Sequence, residues 1–127
     1  MYFTFNNANS RDFNIKIKKS NHLSIPKKKL EFIEVQGRTD NLIVDEGARE
    51  MLDIQIEAYL DCRDLDTKTY ALRLDNLLNN TNGYTDLVFD DNTTLKAIFV
   101  GQIDFNEIVG NFNEILLQFK AYRESDL

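Results

Sequence analysis

The sequence predicts a mainly β domain, an antiparallel β-sandwich or partly open barrel with one packed α-helix over about residues 64–79. Three observations lead there. Apolar residues recur with period two along most of the chain, the pattern of strands with one buried face. The period becomes helical only once, between Thr67 and Leu78. Turn-forming Asn, Asp and Gly punctuate the pattern throughout. At 127 residues and 43% apolar side chains there is room for one ordinary core, so 1–127 reads as a single domain.

Residues 2–5 alternate aromatic and polar side chains and open the first strand. Phe13, Ile15 and Ile17 alternate with Asn14, Lys16 and Lys18 in a second. Residues 20–26 read as a loop, because Pro26 lacks a backbone donor and biases Ile25 toward an extended conformation. Residues 30–35 form another strand. A turn follows over 36–41, where Gly37 tolerates positive φ and Asp40 and Asn41 bond their own backbone. Residues 42–44 return as a short arm, ended by Asp45, Glu46 and Gly47. Over 49–60 the alternation is clearest: Leu52, Ile54, Ile56, Ala58 and Leu60 share one face, with Asp53, Gln55, Glu57 and Tyr59 on the other.

The helix is set by Thr67, Tyr70, Ala71, Leu74, Leu77 and Leu78, which fall on one stripe. Asp64 or Asp66 can cap its first amides, and the run from Asn79 to Gly83 ends it. Strands resume over 84–89. Asp90, Asp91, Asn92 and Thr93 make a turn, and residues 95–105 return as the hairpin partner. Residues 106–111 read as a connection. The last strand covers 113–122, with Ile115, Leu117, Phe119 and Ala121 on one face.

Fourteen Phe and Tyr side chains are too many for a disordered chain. No apolar run approaches the ~20 residues of a membrane helix, and no membrane partner is expected. The N-terminus has no basic flank, apolar block or cleavage site, so no signal peptide is expected there. One cysteine, Cys62, excludes an intrachain disulfide and fits a reducing cytoplasm. The net charge of −6 argues against nonspecific DNA binding. It is unevenly spread: residues 1–40 carry eight basic and four acidic side chains, and residues 41–127 carry seven and seventeen.

No catalytic constellation is present. The sole histidine, His22, lies in a polar loop with no surrounding motif and is expected to have no role. With Cys62 it cannot supply a typical zinc site. The Asp90 turn lacks the glycine and glutamate of a calcium loop: the sixth position is Leu95 and the twelfth Gly101. Asp53 and Glu57 share a strand face but lie about 13 Å apart along it, beyond the roughly 5–9.5 Å of glycosidase carboxylate pairs. The five glycines form no phosphate loop. No catalytic, cofactor or metal residues are identified, and no enzymatic activity is expected.

Several blocks resemble the N-terminal domain of siphophage distal tail proteins. Phe5-Asn6-Asn7-Ala8-Asn9-Ser10-Arg11-Asp12-Phe13 is similar to the family's opening strand, tight turn and second strand. Ile33-Glu34-Val35-Gln36-Gly37-Arg38 follows, with Gln36 where the family usually has proline. Leu74-Asp75-Asn76-Leu77-Leu78 closes the helix without the tryptophan common in the family. Leu87-Val88-Phe89-Asp90-Asp91-Asn92 resembles its strand and acidic turn, and Gln118-Phe119-Lys120-Ala121-Tyr122 its closing strand.

The resemblance implies a tail-tube-like fold and a hexameric ring between tail tube and tail-tip hub, with a channel for DNA in transit. The implied partners are other copies of the chain, the tail tube protein, and a hub or tail-associated lysin. The implied location is the virion tail tip, assembled in the bacterial host cytoplasm. Many members carry a second, carbohydrate-binding-like domain after this one. Ring closure needs two unlike patches on each subunit, which the uneven charge could supply. Lys27, Lys28, Lys29, Gly37 and Arg38 are the expected subunit-interface residues, the hairpin around Gly37 serving as an arm that covers a neighbour's edge strand. Asp53, Glu57 and Glu114 are expected to line the lumen and repel phosphates. Two other readings stand beside this one: a tail tube or tube-like adaptor of a phage or tailocin, and a carbohydrate-binding sandwich using Tyr59 and Tyr122.

Overall fold

The computed structural model describes residues 1–124. The elements are β1 (Phe3–Phe5), β2 (Ala8–Asn9), β3 (Ile15–Ser20), β4 (Lys28–Ile33), β5 (Leu42–Arg49), β6 (Leu52–Asp61), α1 (Thr67–Asn79), β7 (Thr85–Phe89), β8 (Thr94–Val100), β9 (Asn106–Val109) and β10 (Phe112–Tyr122). Eight strands form one antiparallel sheet in the order β2-β1-β7-β8-β10-β6-β3, with β9 also on β10; β4 and β5 form a separate ribbon.

β10 is the spine of the sheet. One edge pairs with β6 from Phe112 to Ala121. The other is shared, β8 taking residues 118–122 and β9 residues 112–114. Alternation along both strands works as read: Leu52, Ile54, Ile56, Ala58 and Leu60 of β6 are buried, as are Ile115, Leu117, Phe119 and Ala121 of β10.

The sheet curls over this core without closing into a barrel. Phe5 and Phe119 have ring centroids 5.1 Å apart, although β7 and β8 separate their strands in the sheet. Phe99 meets Phe119 edge-on at 5.5 Å, and Phe3 lies 6.1 Å from Phe89. Such tilted and edge-on packing suits the aromatic quadrupole. A 3-10 turn, Ser10–Phe13, joins the two ends of the sheet path. Asn9 caps it by accepting from the Arg11 amide, and Asn14 leaves it in the left-handed region at φ 55°. Phe13 therefore belongs to this turn, and the second strand begins two residues later than the alternation suggested.

α1 packs on the core through Tyr70, Leu74, Leu77 and Leu78. Of the two candidate caps, Asp66 accepts from the Thr69 amide at 2.6 Å. Asp64 instead accepts from the buried Tyr70 hydroxyl at 2.9 Å, and Asn14 Nδ2 donates to that hydroxyl at 2.6 Å.

Three further expectations need correction. Residues 95–105 are not one strand: β8 stops at Val100, where Gly101 turns the backbone at φ +86°. The supposed connection after it contains β9, paired with β10. Nor does the return arm end at Asp45; β5 runs on to Arg49.

Candidate functional site

The least ordinary feature is the β4-β5 ribbon. Its register places Leu30 and Phe32 opposite Asp45 and Ile43, and Glu31 and Ile33 opposite Val44 and Leu42. Directly opposed residues share a face. One face therefore shows Leu30, Phe32 and Ile43, and the other Ile33, Leu42 and Val44. All six are exposed, Phe32 at 59% and Ile43 at 58%. An isolated two-stranded ribbon is marginal in water, and an open apolar strand edge invites pairing. The ribbon is thus an arm with uncovered apolar side chains on both faces.

Its two strands are tied to each other at the root. The Glu50 amide donates to Lys27 O at 2.7 Å, and Arg49 Nη1 to Pro26 O at 3.2 Å. Between Lys28 and Leu30 the register slips from Arg49 to Asp45, so β5 carries the extra residues of a bulge. Gly47 sits within it at φ +74°, with its amide bonded to Asp45 Oδ1. A bulge bends a strand and sharpens its twist, which sets the direction in which the arm leaves.

The five expected interface residues all lie on this arm or at its root. Lys27, Lys28 and Lys29 are exposed at the base. Gly37 and Arg38 are at the tip, where the Arg38 guanidinium pairs with Asp40 at 2.8 Å. The six residues of β4 span ~20 Å, which separates the lysines from the tip. The six apolar side chains were missed as site residues. Their signal was the consecutive runs Phe32-Ile33 and Leu42-Ile43-Val44, which break alternation as strands covered on both faces do.

The three expected lumen residues lie on the outer face of the main sheet, but not as an acidic strip. Asp53 is opposite Lys120 and paired with it; Glu114 is bonded by Lys18 at 3.3 Å. Glu57 stands between Leu116 and Lys19 in the register. The lysines offset much of the field that three bare carboxylates would produce.

A wide cleft of about 790 Å³ opens beside this face, lined by Arg11, Lys16, Tyr59, Asp61, Arg63 and Phe112 among others. Tyr59 and Phe112 stack at 5.7 Å, with the Arg63 guanidinium 5.5 Å over the Phe112 ring. Arg63 also pairs with Asp61, whose carboxyl it holds down to about 2. Tyr122 is met edge-on by Tyr84. Both tyrosines proposed for sugar stacking already pack against other rings.

His22 corrects the sequence reading most clearly. It is 4% exposed and stacks on Phe89 with centroids 4.0 Å apart. Its Nε2 lies 2.9 Å from Asp91 Oδ2, and its Nδ1 3.0 Å from Ser20 Oγ. A carboxylate only accepts, so Nε2 carries a hydrogen and donates to Asp91, while Nδ1 shares a hydrogen bond with the Ser20 hydroxyl. The ring ties the loop after β3 to the β7-β8 turn, across the open seam of the curled sheet. Cys62 is buried, and burial pushes its thiol up. Among the described residues no group of three or more His, Cys, Asp or Glu is placed to hold a metal ion, and no helix is long and apolar enough to cross a membrane.

No family model matches the chain, and no curated protein matches it in sequence. Among solved structures it is similar to the SPP1 Dit (gp 19.1) protein, described as a paradigm of the hub adsorption apparatus in phages that infect Gram-positive bacteria. The TM-score is 0.76 at 14% identity, over 94% of this chain and 48% of that one. The chain thus has the fold of a siphophage distal tail protein, as its sequence blocks suggested. It spans about half the length of that protein.

Proposed function

We propose that this chain is a structural subunit of a phage or prophage tail tip. Copies assemble into a hexameric ring that joins the tail tube to the hub and leaves a channel for DNA. The single observation that carries this is the exposed β4-β5 arm with apolar side chains on both faces, on a body with a distal tail protein fold. An arm of that kind is stable once a neighbour covers it. Lys27, Lys28, Lys29, Gly37 and Arg38 belong to that contact. Asp53, Glu57 and Glu114, with their lysine partners, face the lumen, where mixed charge neither holds nor strongly repels phosphate.

The test is the oligomeric state of the purified chain, alone and with tail tubes. Light scattering should give a species of six 14.8 kDa chains, and negative-stain images should show rings, free or at tube ends. A monomer at high protein concentration that also leaves tube ends bare overturns the proposal. A long stacked tube formed by this chain alone would favour a tube protein instead.

A further inference from the structure

We infer that the surface receiving the arm on the next copy is the groove between α1 and the loop joining β8 to β9. This rests on the ring reading and goes beyond it by naming the contact. The groove holds about 410 Å³ and is floored by Leu74, Leu78 and Phe99, with Ile103 and Phe105 as its far wall. Leu74, Leu78 and Phe99 are buried; Ile103 and Phe105 are half-buried, so the loop offers apolar side chains that its own fold does not fully cover. The arm of the same chain leaves Phe32 and Ile43 exposed, so it does not fill this space.

Charge selects the occupant. Asp75 lines the groove, Asp104 lies between Ile103 and Phe105, and Glu107 follows two residues on. Each accepts a hydrogen bond from a neutral donor: Asn79 Nδ2 to Asp75, Gln102 Nε2 to Asp104, and the Asn111 amide to Glu107. Asp75 on the groove and Asp104 in its loop therefore put two carboxylates beside an apolar slot, while Glu107 is tied into the β9-β10 turn away from it. The arm carries the complement, an apolar face at Phe32 and Ile43 with Lys27, Lys28 and Lys29 at its root. Lys28 shares the face of Phe32 four strand residues away, ~13 Å, so one docking event brings ring to slot and that lysine to the rim. An aromatic anchor in a pocket with a charged rim is how compact interfaces concentrate their energy. The groove and the arm are different surfaces of one chain, so the contact is heterologous, as a ring requires.

The experiment places a photo-crosslinking benzoylphenylalanine at position 32 of the full chain and maps the adducts by mass spectrometry. Adducts on residues 71–79 or 101–105 of a second copy are expected. Adducts elsewhere on a second copy, or on an added tube or hub protein alone, overturn the groove while leaving a ring reading intact. No self-association of the wild-type chain under any condition, with or without tubes, overturns both. A charge exchange gives the second arm. Lys27, Lys28 and Lys29 changed together to Glu should weaken self-association at low salt by roughly tenfold or more, as should Asp75 and Asp104 changed together to Lys. Mixing the two variants should restore it, and failure to restore it refutes the pairing. Circular dichroism of each variant controls for folding, since all five side chains are at the surface.

Discussion

Replacing His22 with alanine tests whether the seam of the sheet is held by one buried ring. The substitution removes a side chain 4% exposed, its stack on Phe89, and its contacts with Ser20 and Asp91. Truncating a buried aromatic costs ~3–5 kcal/mol, and an imidazole, being smaller than phenyl, should fall at the lower end. Each lost hydrogen bond adds about 1 kcal/mol at most, because Ser20 and Asp91 reach water once the ring is gone. The sum is ~3–5 kcal/mol. A second variant, His22→Phe, keeps a ring on Phe89 and loses only the polar contacts, for about 1–2 kcal/mol. Urea unfolding followed by circular dichroism reads both. With m near 1.5–2 kcal/mol/M, His22→Ala should lower the midpoint by roughly 2 M and His22→Phe by roughly 0.5–1 M, at unchanged slope. A shift for His22→Ala of less than about 0.3 M would mean that the ring is not seated as described.

Acid stability should depend on Asp61 and Asp91. Arg63 lowers the first to about 2; for the second, bonds from Thr93 and then His22 do the same. Both folded values lie below the ordinary 3.8, so the stabilisation is complete above about pH 4 and is lost as pH falls through about 2. The Asp61→Asn, Asp91→Asn double variant should flatten the melting temperature across that window, and an unaltered slope would reject the assignment. Asp66→Ala removes the α1 cap and should cost about 1 kcal/mol, read as a drop of a few degrees in melting temperature.

What the sequence disclosed follows from how local each cause is. The faces of β6 and β10 were readable because burial on one side imposes period two on ten consecutive positions, and nothing distant is needed to see it. β9 was not, since all four of its residues are exposed and leave no periodic trace. Gly47 was read as a stop, yet a glycine at positive φ also serves a bulge inside a continuing strand, and the pairing with Lys28 decides between the two. His22 was invisible for the simplest reason: its partner Asp91 is 69 residues away, and burial of a single loop side chain has no pattern. The choice between Asp64 and Asp66 likewise waited on where the Tyr70 hydroxyl would point.

The arm shows why a heterologous contact suits this chain better than a two-fold one. A partner arm laid alongside it would cover one apolar face of each. Such a pair would leave the carboxylates beside the α1 groove unanswered and set the root lysines of the two copies against each other. Docking in the groove, as proposed, covers the Phe32 face and brings unlike charges together. A contact between unlike surfaces repeats from copy to copy until the rotation per step closes it or fails to. In the proposed ring that rotation would be set where the arm leaves the body, at Pro26, Lys27 and the bulge around Gly47. On that reading the root of the arm, and not its tip, governs how many copies complete the assembly. A substitution that removes the positive φ at Gly47 should change ring size or closure before it changes whether copies bind.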